Sequence, residues 1–525
     1  MFFIIVFCAI LEKISDRLWG CNMTAIKLPE IFQNGMILQR NKKIKIWGEA
    51  EGAWRLTVSF GGDCVSADVK DGKFYCEIPA KEAASGQKIE IFADEKKEPD
   101  IVIEDICIGD IYIAAGQSNM EYFMRYDAHW NEIKEWEQND MIRMFNCRRI
   151  AYPGQNRELP DCGNWFKEHD YQWESFSAPG YTFARAIQPV IGVPVGIIGC
   201  NWGGTPACAW MGSSYLNEEP LSVFQKEYEE ALMSADEEEI RRCSRKAWEY
   251  EDSYPHQIAW RAMMYGMNEQ DQERWMLETA DAPVLPMGPY HHYRPSGLYE
   301  MMLKNLAPFS VKGVLWYQGE SDAGHGEIYD KTFSALIRCW RDLWQDELPF
   351  LFVQLAPFGK WLGIGGEDYP VVRESQEWVS KNVPGTGMIS IMDLGMYEDI
   401  HPKKKKEVGE RLALLARGLI YGEDILCESP EFMGGEREGN RIRLHFSHTG
   451  EKLHIKGNFI KSLRAEQDGI SRIVKEFRLD QDLLLVFEAL SEEPVEIKFA
   501  KEGYCEVNLF NEADLPVKPF AAVII

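Results

Sequence analysis

An α/β protein built on a parallel sheet and flanked at both ends by all-β modules is what this sequence predicts, and three observations predict it. Between about residues 106 and 425, apolar runs alternate with helical patterns: "ICIGDIYIAA", "VPVGIIGC", "VKGVLWY", "LPFLFVQLA" and "GMISIMDLG". Unbroken apolar runs of this kind suit strands buried on both faces, as in a doubly wound parallel sheet. On either side, residues 23–105 and 426–525 change to short runs of alternating residues broken by turn formers, the texture of β-sandwich-like modules. The length agrees: 525 residues exceed one ordinary core, and about two to four domains are expected.

Taken in order, residues 1–22 read as a leader or a mis-assigned start. "FFIIVFCAIL" has roughly the length of a signal-peptide apolar segment, but no basic residues precede it and charged "EKISDR" follows. It is too short to span a bilayer as a helix. The N-terminal β module holds "KIKIWGEA", "RLTVSFGGD", "FYCEIPA" and "KIEIFAD". Within 106–425 the helical candidates are "YTFARAIQPVI", "YDKTFSALIRCWRDLW", "YPVVRESQEWVSKN" and "PKKKKEVGERLALLARGLI". The segment from about 216 to 290 breaks the rhythm; acidic and aromatic-rich, it reads as a helical insertion, placed where it could cap a cleft. The C-terminal module carries "RIRLHFS", "KLHIKG", "LLLVFEAL" and "VEIKFA".

Composition narrows the function classes. A hydrophobic fraction of 45% and a charged fraction of 27% are those of a globular protein. The net charge of −26 argues against nucleic acid and anionic membranes as partners. Thirteen scattered cysteines without a CxxC pair favour free thiols over a disulfide scaffold or a structural zinc site. That favours a cytoplasmic location, with a secreted or periplasmic one as the alternative if residues 1–22 act as a signal. Oligomeric state is not legible.

Ligands of open parallel sheets bind beyond the carboxyl ends of the strands, so the residues after each run matter. They are "GQSNM" with Ser118, "NWGGTPACAW" with Gly203 and Gly204, "QGESD" with Gln318 and Glu320, and "YEDIHP" with Asp399 and His401. A serine hydroxyl needs a base, which His401 can provide. The backbone N–H of Ser118, that of Gly204 and the Gln318 amide are three candidate donors to an oxyanion. Trp202, Trp210, Trp316 and Tyr317 can stack on a sugar, with a core role for each an equal alternative, and Glu320 is a polar group of the same cleft.

Each feature has a plainer reading. Ser118 could be an N-cap, and His401 with Pro402 could open a helix. Gly203–Gly204 could be a generic turn, and Glu320 a solvated loop carboxylate or a buried structural partner. The Lys403–Lys406 run reads as a solvated helix start, and His291–His292 as neighbours whose side chains point apart. No nucleotide-binding glycine pattern occupies a suitable place. Co-occurrence at the ends of successive strands is what favours the chemical reading.

With these residues identified, the chain resembles the bacterial sialate O-acetylesterase family of SGNH hydrolases. The matching stretches are "AAGQSNM", "VPVGIIGCNWGGTPACAW", "WYQGESD" and "DIHPKKKKEVGERLAL". Two further stretches match: N-terminal "LPEIFQNGMILQRNKKIKIWGEA" and C-terminal "CEVNLFNEADLPVKPF". The resemblance implies a three-layer α/β/α, flavodoxin-like catalytic domain with flanking β modules. It also implies a serine esterase, without metal or other cofactor, that removes O-acetyl groups from a sugar. Residue by residue, Ser118 matches the nucleophile, His401 the base, and Gly204 and Gln318 the oxyanion donors; Gly203 is a substitute for Gly204. Glu320 and Trp202 are the expected substrate contacts. The wider superfamily places its acid three residues before the histidine, where Glu398 stands; the clade favours Asp399. Glu398, Asp399 or a backbone carbonyl could orient His401.

The expected activity is a carbohydrate O-acetylesterase acting on O-acetylated sialic acid, with acetylated xylan or another glycan as the alternative substrate. A cleft arginine would discriminate, and Arg125 and Arg294 are the candidates. A non-catalytic carbohydrate-binding protein is the alternative of another class.

Overall fold

The computed structural model describes residues 24–525 apart from Glu158, Ser234 and Ala235; the leader 1–22 lies outside the described residues. Its centre is one mixed sheet. Seven strands form the main path: β1 (Ile101–Gly116), β2 (Ile142–Asn146), β3 (Trp165–Phe166), β4 (Val195–Asn201), β5 (Gly313–Tyr317), β6 (Phe350–Val353) and β7 (Thr386–Ile389). Their spatial order is β3-β2-β4-β1-β5-β6-β7. Every neighbouring pair is parallel except β3–β2, which is antiparallel at the edge. After β1 the chain goes to one side, where β2 and β3 leave a place that β4 fills next to β1, then crosses to build β5, β6 and β7 outward on the other. Loops leaving a strand in opposite directions open a crevice at its carboxyl end, and the first residues beyond β1 are Gln117 and Ser118.

The five apolar runs all became strands of this sheet. Strands β2 and β3 are additions that their sequence disguises. Arg143 interrupts the apolar run of β2, and it is buried because its guanidinium bonds the Asp105 carboxylate at 2.9 Å and the Gly35 carbonyl at 2.8 Å.

Alternation along β1 sends side chains to two cores. Ile111, Ile113 and Ala115 join Phe333, Leu336 and Trp340 of helix α3 (Tyr329–Trp344) and Val372 and Val379 of α4 (Tyr369–Asn382). Tyr112 and Ala114 join Phe183, Ala184 and Ile187 of α2 (Ala178–Ile191) and Val408, Leu412 and Leu415 of α5 (Lys405–Leu419). Helix α1 is the single turn Ser118–Glu121. The boundaries of α2 are chemically marked: Ser177 caps its start by accepting from the Gly180 N–H at 3.1 Å, and Gly192 ends it with φ +65°.

The amino-terminal half of β1 pairs with Ile37–Gln39 and Ala84–Ala93, so the first module and the central sheet share a strand. The place where the sequence changes texture, near residue 105, therefore lies inside β1, at Asp105 with φ +54°. Four helices occupy the insertion at about 216–290: Ser222–Met233, Glu237–Glu251, Tyr254–Gly266 and Glu269–Glu278. At the carboxyl end, two four-stranded sheets enclose a separate core containing Ile442, Leu444, Leu485, Val495, Ile497 and Phe499.

Candidate active site

Ser118 sits where β1 runs out. Gly116 has φ +132°, and a Cβ there would collide with the Tyr317 carbonyl oxygen, so only glycine lets the chain turn this close to β5. Ser118 is the first residue of α1; Gln117 is its N-cap, with no side-chain capping bond. Ser118 is thus not an N-cap, and its N–H is one of those a helix start leaves without an intrahelical partner. Its Oγ lies 3.0 Å from His401 Nε2. The bland reading of His401 fails as well, because α5 does not open until Lys405.

The pair is enclosed: Ser118 is 5% exposed and His401 1%. Burial pushes the His401 ring below its ordinary pKa, against the pull of Asp399, so the imidazole is held neutral and able to accept a proton. Two aromatic rings meet it edge-on: Tyr265, from the helix Tyr254–Gly266, at 5.1 Å, and Trp361 at 5.4 Å between centroids. Trp361 is fixed by donating to Gln272 Oε1 at 2.8 Å, so both covers involve the helical insertion.

Of the two acids, Glu398 is exposed, whereas Asp399 is buried beside the ring. Asp399 Oδ1 accepts the His401 backbone N–H at 2.8 Å and stands 3.5 Å from Nδ1. The second separation is that of an ion pair rather than a formed hydrogen bond, and Nδ1 has no hydrogen-bond partner among the described residues. Burial acts to raise the Asp399 pKa, but the His401 ring and Lys403, whose Nζ is 2.7 Å from Oδ2, bring it below the usual carboxylate range.

The glycine turn after β4 lies against the nucleophile. Gly203 donates its N–H to Glu121 Oε2 at 2.5 Å, and Glu121 is paired with buried Arg149 at 3.1 Å. The Gly203 donor is therefore spent, which leaves Gly204 as the glycine of this turn suited to an oxyanion. Gly204 has φ +73°, and a Cβ on it would collide with Tyr293 Oη.

Two expectations need correction, those for Gln318 and Trp202. Gln318 ends up fully buried with its amide donating to Thr205 O at 3.3 Å and to the Asp322 carboxylate, so neither hydrogen is left for an oxyanion. Asp322 claims it because that carboxylate, whose pKa burial raises to about 6, needs donors inside the protein. Glu320 is half-buried: Oε1 accepts from Asn119 at 2.5 Å, and Oε2 has no hydrogen-bond partner among the described residues. Trp202 is 8% exposed, stacked on His292 at 4.7 Å with the Arg157 guanidinium 5.1 Å from its ring, so it braces the loop. Trp210, Trp316 and Tyr317 are likewise buried core residues.

Two plainer readings also change. The rings of His291 and His292 do not diverge but stack, 4.9 Å apart and 3° from parallel. Burial holds both neutral, His291 with its pKa down at about 4. Within the lysine run, Lys405 is not solvated but wholly buried, with Nζ donating to Asn119 Oδ1 at 2.5 Å. Sequence reasoning missed Asn119, Glu121, Arg149, Tyr265, Trp361 and Lys405. The first two follow Ser118 in "QSNME" and Lys405 lies in "DIHPKKKKEVGERLAL", which was the available signal; Arg149, Tyr265 and Trp361 come from segments with no motif of their own.

Comparison with known proteins gives the family. A family profile described as carbohydrate esterase, sialic acid-specific acetylesterase matches residues 108–244 and 288–416, slightly more than half the chain. The gap in that match falls inside the helical insertion. Sialate O-acetylesterase of Pongo abelii is 25% identical over 454 residues, covering 79% of this chain and 75% of its own. That of Rattus norvegicus is 26% identical over 430 residues, covering 74% and 72%. The crystal structure of a carbohydrate acetylesterase from Xanthomonas citri superposes with a TM-score of 0.73 at 26% identity, over 95% of this chain and 99% of that one. This chain belongs to the sialic acid-specific acetylesterase family of carbohydrate esterases.

Proposed function

We propose that this protein is a serine carbohydrate O-acetylesterase acting on O-acetylated sialic acid. The observation that carries the reading is the 3.0 Å Ser118 Oγ–His401 Nε2 contact beyond the carboxyl end of β1. His401 takes the Ser118 proton as Oγ attacks the acetyl carbonyl. The resulting oxyanion faces the N–H groups of Ser118 and Gly204. His401 then gives its proton to the departing sugar oxygen, leaving acetyl-Ser118. Water, deprotonated by the same imidazole, releases acetate and restores the serine. Asp399 keeps the charged imidazole oriented.

The same reading takes the α/β portion, 106–425, as a three-layer SGNH domain, with 23–105 and 426–525 as accessory β modules. It places the enzyme in the cytoplasm on the strength of its scattered thiols. For the substrate carboxylate, Arg294 is favoured over Arg125. Arg125 is engaged by Glu174 and Ser175, whereas the one side-chain hydrogen bond of Arg294 among the described residues goes to the Ala151 carbonyl, at 3.2 Å; Nε is without a partner in both. Arg294 also follows Tyr293, which abuts Gly204.

The test compares wild type with Ser118→Ala on a chromogenic acetyl ester, then on O-acetylated sialic acid and acetylated xylo-oligosaccharide. Ser118→Ala should lower kcat by about 10⁴-fold or more. Arg294→Ala should raise KM on the sialic acid alone. Equal KM changes on both sugars would favour a neutral glycan, and retained activity in Ser118→Ala would end the serine reading. Inactivity of wild type on all three esters, with glycan binding retained, would make this a binding protein.

A further inference from the structure

Lys405 is the least expected residue near the dyad. It is 0% exposed, and it opens α5, where the helix dipole disfavours a cation. A buried ammonium is costly on its own account, and an apolar side chain of similar size would fill the same space without that cost. The surroundings compensate only by specific contacts. The faces of Tyr122 and Tyr317 each lie 4.9 Å from Nζ, and Nζ donates to Asn119 Oδ1 at 2.5 Å. The charged groups facing it are Glu320, Asp399, Asp127 and Lys403.

What that contact fixes is the orientation of one amide. An ammonium can only donate, so it commits Asn119 Oδ1 to itself and turns Nδ2 the other way. Nδ2 then donates to Glu320 Oε1 at 2.5 Å and to the Ile400 carbonyl at 3.1 Å. Asn119 directly follows Ser118, and Ile400 directly precedes His401. A single side chain thus spans the dyad one residue away from each member, and ties both to the loop after β5.

We propose that Lys405 is a positioning residue for this dyad: by orienting the Asn119 amide, with Glu320 as its counter-charge, it sets the register that brings Ser118 Oγ to His401 Nε2. The inference rests on the esterase reading above. It has an electrostatic side as well. Burial is the main reason the His401 pKa is low, and the Lys405 charge lowers it further. Burial also brings the Lys405 pKa down to about 7, so on the acid side of neutrality, where His401 titrates, Lys405 carries its charge.

The experiment uses the full chain and the chromogenic acetyl ester, with wild type and Ser118→Ala as bounds. Lys405→Met should cut kcat by about 10²-fold, the scale of a misplacement of about 1 Å, with KM little changed. It should also shift the acid limb of the kcat/KM profile to higher pH, because a positive neighbour of His401 has gone. A merely structural lysine would leave that limb where it was. Glu320→Gln keeps the volume and serves if Lys405→Met does not fold; it should lower kcat about tenfold, since weakening one contact of the amide leaves the Ile400 bond in place. A folded Lys405→Met with unchanged kcat and acid limb, or a Glu320→Gln with unchanged kcat, overturns the proposal. Wild type no more active than Ser118→Ala would remove the esterase reading itself, a different failure seen before either variant is assayed.

Discussion

The orientation of His401 turns on two carboxylates in adjacent positions. Asp399 is buried and 3.5 Å from Nδ1; Glu398 points to solvent. Asp399→Asn should therefore lower kcat, by less than the about 10⁴-fold of a tightly hydrogen-bonded triad, because the contact here is long. Glu398→Gln should leave kcat within about a factor of two, since an exposed charge on the far side of the backbone is screened. Steady-state kinetics of the pair on one ester decides between them, and a larger loss in Glu398→Gln would sink the assignment. At this scale the sequence was most legible where chemistry is concentrated in one motif. That Ser118 and His401 would meet could be read because strand ends locate a cleft and because a serine and a histidine at two such ends are few residue types. Gln318 and Trp202 were misread for a common reason. Their types suit a cleft, but which way a polar or aromatic side chain turns depends on partners such as Asp322 and His292, which come from distant or unpatterned positions. Lys405 was hidden more deeply, inside a run of four lysines whose other members reach water or the surface to differing degrees.

Elements remote in sequence close the site. The helix Tyr254–Gly266 supplies Tyr265, and the short hairpin pairing Lys360–Trp361 with Ile364–Gly365 supplies Trp361. These rings are the local reason that His401 is dry, and desolvation is the main cause of its lowered pKa. Removing either ring admits water and favours the charged imidazole. For Tyr265→Ala and Trp361→Ala the acid limb of kcat/KM should therefore move up toward the ordinary histidine value of about 6.5. Activity at pH 6 should fall more than activity at pH 8, since the base works only above its pKa. A pH–rate profile checks this, and a limb that moves down would contradict it. The insertion was legible as helical from its composition and its broken rhythm. That it reaches the base through one tyrosine was not legible, because an aromatic on an amphipathic helix carries no mark of what it packs against. Strand β2 was lost for the converse reason: Arg143 masks an apolar run that tertiary pairing with Asp105 makes buriable.

The molecule as a whole is held together by few, well-defined joints, and one of them is open to test. Arg373 on α4 is 2% exposed and has no carboxylate partner among the described residues. It donates instead to four carbonyls: Leu355 and Ala356 after β6, each at 3.0 Å, and Glu502 and Gly503 of the C-terminal module at 2.8 and 2.7 Å. Phe358 N–H adds a bond to Gly503 O at 2.9 Å. Burial lowers the Arg373 pKa to about 10, so the guanidinium stays charged through neutrality and its donors stay strong. Arg373→Met keeps much of the apolar stem but leaves the buried Leu355 and Ala356 carbonyls facing an apolar side chain, while Gly503 O keeps the Phe358 N–H and Glu502 lies at the exposed rim. Each buried unsatisfied group costs about 1–3 kcal/mol, and water entering the joint would recover part of that. A loss of about 3 kcal/mol or more is expected in denaturant unfolding. Because the joint links two cores rather than one, the loss should come with a separation of transitions, the C-terminal β core unfolding at lower denaturant than the α/β core. A single transition displaced by less than about 1 kcal/mol would mean that apolar contact, not this arginine, holds the two parts together.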